Sequence, residues 1–175
     1  LRGRRYVAIE GEPEFFHFYE TDGLDTLTST AYLERLNNPT EWTRRVGVNI
    51  KDNNRTLSQV ATSIGIGGGA AILTGRLQAA PGQDAALSNW LSNEVLPSLV
   101  GQPGIVAGHL LQGDHASSAT ETAEKAMRDR PDDVADWVLF LEAIEVEPLD
   151  PLWKGGALSE ESLMQHGATR AALGT

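Results

Sequence analysis

Short apolar runs broken by Gly, Pro and Asn divide this chain into a mixed series of strands and helices. Tyr6–Glu10 predicts a strand, Gly11, Glu12 and Pro13 a turn, and Glu14–Glu20 a second strand. The connection is short enough for an antiparallel hairpin. Aromatic side chains on both faces of the second strand suggest that it is central and covered twice over. A helix is expected from about Asp25 to Leu36, stopped by Asn37, Asn38 and Pro39. A strand is expected near Arg44–Ile50, followed by a polar stretch, Lys51–Ser63, with no clear period. Gly65, Gly67, Gly68 and Gly69 then mark a hinge or a close approach of backbones.

The second half has a sharper pattern. Ala70–Leu77 is a strand. Leu87, Leu91, Val95 and Leu99 recur every four residues, with Trp90 and Leu96 widening the stripe, and predict a helix over Gln83–Val100 in which Pro97 kinks the last turn. Ile105–Gln112 and Trp137–Val146 read as strands and Ser159–His166 as a short helix. The charged segment between those strands reads as a short exposed helix around Thr120–Arg128 or a mobile insertion.

These elements follow the order of a β-α-β-β-α-β unit, lacking only the closing strand. The first half supplies the last four elements of such a unit and lacks the opening strand and helix. The expected fold is therefore α+β: tandem ferredoxin-like halves, residues 1–63 and 64–175, forming an α/β barrel from antiparallel sheets. The truncated ends suggest a natural protein that continues before Leu1 and after Thr175. Each sheet would have one face under helices and one apolar face needing a partner, with a ligand chamber where the two meet. A homodimer would add further contacts.

Composition narrows the partners. The 175 residues carry a formal charge of −10. That disfavours nucleic acid and anionic membrane surfaces, which need basic patches. There is no Cys, so thiolate chemistry, disulfides and Cys-ligated metals are excluded. No signal peptide or membrane-length apolar run is visible, and a cytoplasmic location is expected. The histidines lack zinc spacing, and the glycine run lacks the Rossmann and Walker patterns. No metal or cofactor is expected, although a single His would suffice for haem.

The stretch Arg5-Tyr6-Val7-Ala8-Ile9-Glu10-Gly11, then Phe18-Tyr19-Glu20, then Tyr32-Leu33, then Asn37 through Arg45 resembles bacterial members of the dimeric α/β-barrel superfamily. The likeness is most specific over Leu1–Val48; over Ala70–Gly167 it extends to element order and a few positions. It implies a cavity on the inner sheet face for a small, often aromatic compound. It also implies one of several chemistries, among them cofactor-free monooxygenation, isomerisation, haem degradation and ring opening. Relatives often carry a His near the end of their first helix; Val95 stands at that place in the second half.

Four residues carry candidate chemistry. His17 and Tyr19 share one face of a strand with Phe15, so the pair could move protons or orient a phenol. His109 stands in a mostly apolar strand beside Gly108. Glu142 interrupts Trp-Val-Leu-Phe-Leu-Glu-Ala, where an acid is costly to bury without a partner. Phe15, Trp42, Arg44 and Phe140 are the expected substrate-binding residues: the aromatics as cavity walls, the Arg for a carboxylate or phenolate. Each also has an ordinary structural reading, as barrel lining, helix packing or a strand ion pair. His115 and His166 are expected in solvent. The expected function is a cofactor-independent catabolic or biosynthetic enzyme acting on a small apolar or aromatic molecule by isomerase, lyase or monooxygenase chemistry. The alternative is a non-catalytic ligand-binding or structural barrel.

Overall fold

The computed structural model describes residues 2–175. It is an α+β chain with a two-stranded sheet, β1 (Arg2–Val7) paired with β2 (Phe15–Glu20), and a five-stranded sheet. The larger sheet is built from β3 (Ser58–Gly65), β4 (Ala71–Ala79), β5 (Ile105–Gly113), β6 (Trp137–Ala143) and β7 (Ala168–Gly174), in the spatial order β3-β5-β6-β4-β7. β6 pairs antiparallel with β4 and β5, and β4 antiparallel with β7. Neither sheet closes on itself.

Two compact units divide the chain. One comprises Arg5–His17, Val60–Gln112 and Ala135–Thr175; the other comprises the residues through Arg4, Phe18–Gln59 and Gly113–Val134.

In the first of these units the sheet holds its core on one face. Leu139 and Leu141 of β6, Leu73 and Leu77 of β4, and Leu110 of β5 pack against Leu87, Leu91, Val95 and Leu96. These last four lie on one continuous helical run: α4 (Asp84–Trp90), a π-helical turn (Leu91–Val95) and α5 (Leu96–Leu99). The four-residue recurrence read from the sequence is this buried stripe. The irregularity falls just before Pro97, whose missing N–H and bulky ring disturb the preceding turn. Trp137 Nε1 donates to Asp84 Oδ1 at 2.8 Å, tying the start of β6 to the start of α4. α7 (Asp150–Trp153) and α8 (Glu160–Gln165) cover the same face through Leu152 and Leu163, and Ser159 caps α8 by accepting from the Ser162 N–H.

Several expectations need correction. The closing strand thought to be missing from the second half is β7, which completes the order β5-β6-β4-β7 of a β-α-β-β-α-β unit. Its sequence, Ala-Thr-Arg-Ala-Ala-Leu-Gly, is low in β-branched residues, and pairing with β4 overrides that weak local signal. The strand expected at Arg44–Ile50 is instead α3 (Glu41–Gly47). Thr40 caps it by accepting from the Thr43 N–H at 3.1 Å, and Glu41 follows in the first turn. β2 is one of only two strands in its sheet, not a central strand. The helix expected after it is split into α1 (Leu24–Thr28) and α2 (Thr30–Asn37) by Ser29, whose extended backbone caps α2.

The second unit is small and polar. It carries α1 to α3, α6 (His115–Ser118) and a 3-10 turn at Lys125–Met127. Ser118 Oγ accepts from the Leu57 N–H at 2.9 Å, and Asp132 Oδ1 accepts from Arg128 Nη1 and from the Arg55 N–H, both at 2.7 Å. The segment read as exposed or mobile is thus anchored by a buried ion pair. Among the described residues no helix is long and apolar enough to cross a membrane.

Candidate functional site

Strand alternation sorts the five-stranded sheet into two chemistries. On β6, Trp137, Leu139, Leu141 and Ala143 enter the helix-covered core. Val138, Phe140 and Glu142 therefore project from the other face. Glu142 is only 1% exposed. On β5, Gly108 sits against Leu96 and Leu141 on the helix side, which places His109 on the helix-free face; across the ladder it faces Phe140. On β3, Thr62 bonds Ser92 of the helical run, so Ser63 shares the face of His109.

These positions bring together a Ser–His–Glu line. Ser63 Oγ and His109 Nδ1 are 2.9 Å apart, and His109 Nε2 is 3.4 Å from Glu142 Oε1. Glu142 Oε2 accepts the Gly69 N–H at 2.7 Å. With the imidazole neutral and its proton on Nε2, that N–H lies beside the carboxylate and the Nδ1 lone pair accepts from the serine hydroxyl. The His109 side chain is 22% exposed, so the line runs from a buried acid to the surface of the face.

The glycine run serves this arrangement. A Cβ on Gly69 would lie 2.5 Å from the backbone N and O of Ala143, so only glycine lets its amide reach Glu142. The Gly69 carbonyl accepts from Tyr6 Oη at 3.4 Å. The close approach read from the sequence is therefore present, and its product is a fixed donor for a buried carboxylate.

Of the residues singled out from sequence, the structure brings His109 and Glu142 together, with Phe140 beside them. Phe140 is 6% exposed and meets Phe16 edge to face, ring centroids 5.4 Å apart. The others are placed differently. Phe15, His17 and Tyr19 lie on the exposed side of β2; Tyr19 is 72% exposed, and Arg5 sits over the Phe15 ring. Trp42 and Arg44 belong to α3 and are exposed, so the alternation expected of a strand does not turn the Arg inward. His115 is exposed at the start of α6. His166 is also exposed, but it stacks on Trp90 with centroids 3.7 Å apart. Ser63, Gly69 and Tyr6 were not expected as site residues. Ser63 lies in the polar stretch that gave no period, and the one signal for it is the alternation Thr62-Ser63-Ile64 leading into the glycines.

An open depression of about 420 Å³ lies elsewhere, in the small polar unit, lined by His115, Ser118, Glu121, Lys125 and Asp132 among others. Its charges are spent on one another: Lys125 bonds the Ser118 carbonyl and pairs with Glu121, and Asp132 pairs with Arg128. The Ser–His–Glu line is the better candidate because its imidazole has no structural task of comparable weight. Among the described residues no group of three His, Asp or Glu side chains is placed to hold a metal ion.

The fold and this line define the class: an α+β protein whose antiparallel sheet carries a Ser–His–Glu line on its helix-free face. No family model matches the sequence, and no curated protein matches it. Among solved structures, a provisionally named monooxygenase from Fusobacterium nucleatum is similar over 98% of this chain and 73% of its own, with a TM-score of 0.51 at 10% identity. That likeness bears on fold alone. An anthrone oxidase-like protein is similar over 68% of this chain at 12% identity with a TM-score of 0.45; the chain spans about half, 52%, of that protein.

Proposed function

We propose that this chain is a cofactor-independent enzyme of monooxygenase type, acting on a small apolar or aromatic molecule with an acidic C–H. The observation that carries the reading is a buried carboxylate directly behind a partly exposed imidazole, beside Phe140 on the helix-free sheet face. Such a pair suits general-base catalysis: the imidazole gains a proton and the carboxylate stabilises the resulting cation. A substrate anion made this way supplies the electrons for dioxygen itself. A CH2 group activated by neighbouring carbonyl or aryl groups loses a proton and adds O2. The resulting hydroperoxide then eliminates water, so that R2CH2 and O2 become R2C=O and H2O. No external reductant is needed. Phe140 and Phe16 supply apolar surface beside the pair. The same reading has a second copy of the chain close the helix-free face into the barrel of the superfamily that the sequence resembles.

One observation favours the non-catalytic alternative: Phe16 already packs on Phe140, as a wall filled for stability would. Oxygen uptake decides between the two. Wild-type protein is offered a panel of phenols and aryl ketones with activated CH2 groups, beside His109→Gln and Glu142→Gln. The enzyme reading expects uptake in the wild type and a fall of about 100-fold or more in kcat in each variant. No uptake with any compound, or equal rates in all three proteins, rejects it.

A further inference from the structure

Each ring nitrogen of His109 has a polar neighbour. Nε2 faces Glu142 at 3.4 Å, and Nδ1 is 2.9 Å from Ser63 Oγ. With the proton on Nε2 and the Nδ1 lone pair taken by the Ser63 hydroxyl, a substrate approaching the partly exposed ring meets no free lone pair. It meets the hydroxyl of Ser63, which is exposed at the edge strand of the sheet. Glu142 in turn is held from behind by the Gly69 amide.

We infer that Ser63 is a further catalytic residue, the port through which a substrate proton enters the His109–Glu142 pair. This rests on the general-base reading above and deepens it. The substrate C–H proton passes to Ser63 Oγ while the hydroxyl proton of Ser63 moves to His109 Nδ1. The bonding electrons of the C–H stay on the substrate carbon. Ser63 ends as a hydroxyl again, and His109 ends as an imidazolium whose Nε2–H faces the Glu142 carboxylate. Nothing is oxidised in this step and no other reactant is consumed. The arrangement also selects substrates. The acidic hydrogen must reach a hydroxyl lying on the sheet surface, which suits a flat molecule laid along the face better than a branched one pointing down at it.

Two measurements test the assignment, the first without any substrate. Diethyl pyrocarbonate acylates unprotonated imidazole nitrogen, and peptide mass mapping follows His109 apart from the other histidines. Ser63→Ala uncovers Nδ1, so His109 should react about tenfold faster than in the wild type, the scale of one net hydrogen bond. Ser63→Thr, which keeps the hydroxyl, should react at the wild-type rate. Equal rates in wild type and Ser63→Ala overturn the port. The second measurement uses whichever compound gives oxygen uptake. Ser63→Ala should lower kcat about 100-fold with KM little changed, and Ser63→Thr should stay within a few-fold of wild type. Full activity in Ser63→Ala alongside an inactive His109→Gln shows that the proton reaches His109 directly, and overturns the port. If no compound is turned over, the monooxygenase reading fails, while the acylation rates still decide whether Ser63 covers His109.

Discussion

The two faces of the five-stranded sheet come from the same strands and have been put to different uses. Toward the helices, β4, β5 and β6 present Leu73, Leu77, Leu110, Leu139 and Leu141, all fully buried. Between those positions, the opposite face holds Glu142, His109 and Ser63 beside Phe140, Val138 and Ile72, with Thr74 and Arg76 next to them on β4. A carboxylate taken out of water costs several kcal/mol unless its oxygens are satisfied. Glu142 meets that cost with the Gly69 amide on one oxygen and His109 beside the other. The contrast teaches that β6 is buried throughout for two reasons: alternate residues build the core, and the residues between them seat one ionisable group in a surround that gives it a defined partner.

The largest test of that division is on the core face. Leu139 is fully buried at the centre of β6, opposite Gly75 on one side and Leu110 on the other. Leu139→Ala leaves a cavity that neighbouring strands cannot collapse into, and should cost about 3–4 kcal/mol in urea unfolding. A loss under about 1 kcal/mol would show that the helix-covered face is loosely packed and that the contrast between the faces is overdrawn.

The next test separates structure from chemistry at Glu142. Glu142→Ala strands the Gly69 N–H and removes the partner of His109, and should cost about 2–3 kcal/mol. Glu142→Gln keeps an oxygen for Gly69 and the side-chain volume, so its cost should stay under about 1 kcal/mol even though it removes the charge that supports a protonated His109. Equal destabilisation by the two variants would mean that the charge itself holds the face together, making the carboxylate a structural element.

How much of this was legible in the sequence follows the same division. The core face was readable because its signal is local: Leu87, Leu91, Val95 and Leu99 repeat along one helical run, and Trp137–Leu141 is a continuous apolar stretch. Glu142 stood out against that run, and His109 against its own. What could not be read was their meeting, since they lie on strands whose register is fixed by long-range pairing rather than by spacing. Ser63 was hidden for a further reason. Its strand is at the sheet edge, with several polar and exposed positions, and such a strand has almost no period. α3 was misread because its cap lies in Thr40-Glu41, while Val46, Val48 and Ile50 just beyond suggest alternation. A cap with a real hydrogen-bond partner outweighs a short β-branched run.

The smallest expected effect concerns the residues that the sequence offered as substrate-binding but the structure leaves in solvent. Trp42 is 63% exposed on α3, and Arg44 is exposed two residues later. Neither is buried, and Thr40, not either of them, caps the helix. Trp42→Ala and Arg44→Ala should each change unfolding free energy by no more than about 0.5 kcal/mol, since alanine is a better helix former than Trp and close to Arg. Oxygen uptake should be unchanged in both. A large rise in KM for either variant, with stability preserved, would show that substrate contacts reach beyond the helix-free sheet face. The site would then have to include α3, and the contrast between the two sheet faces would no longer be enough to define it.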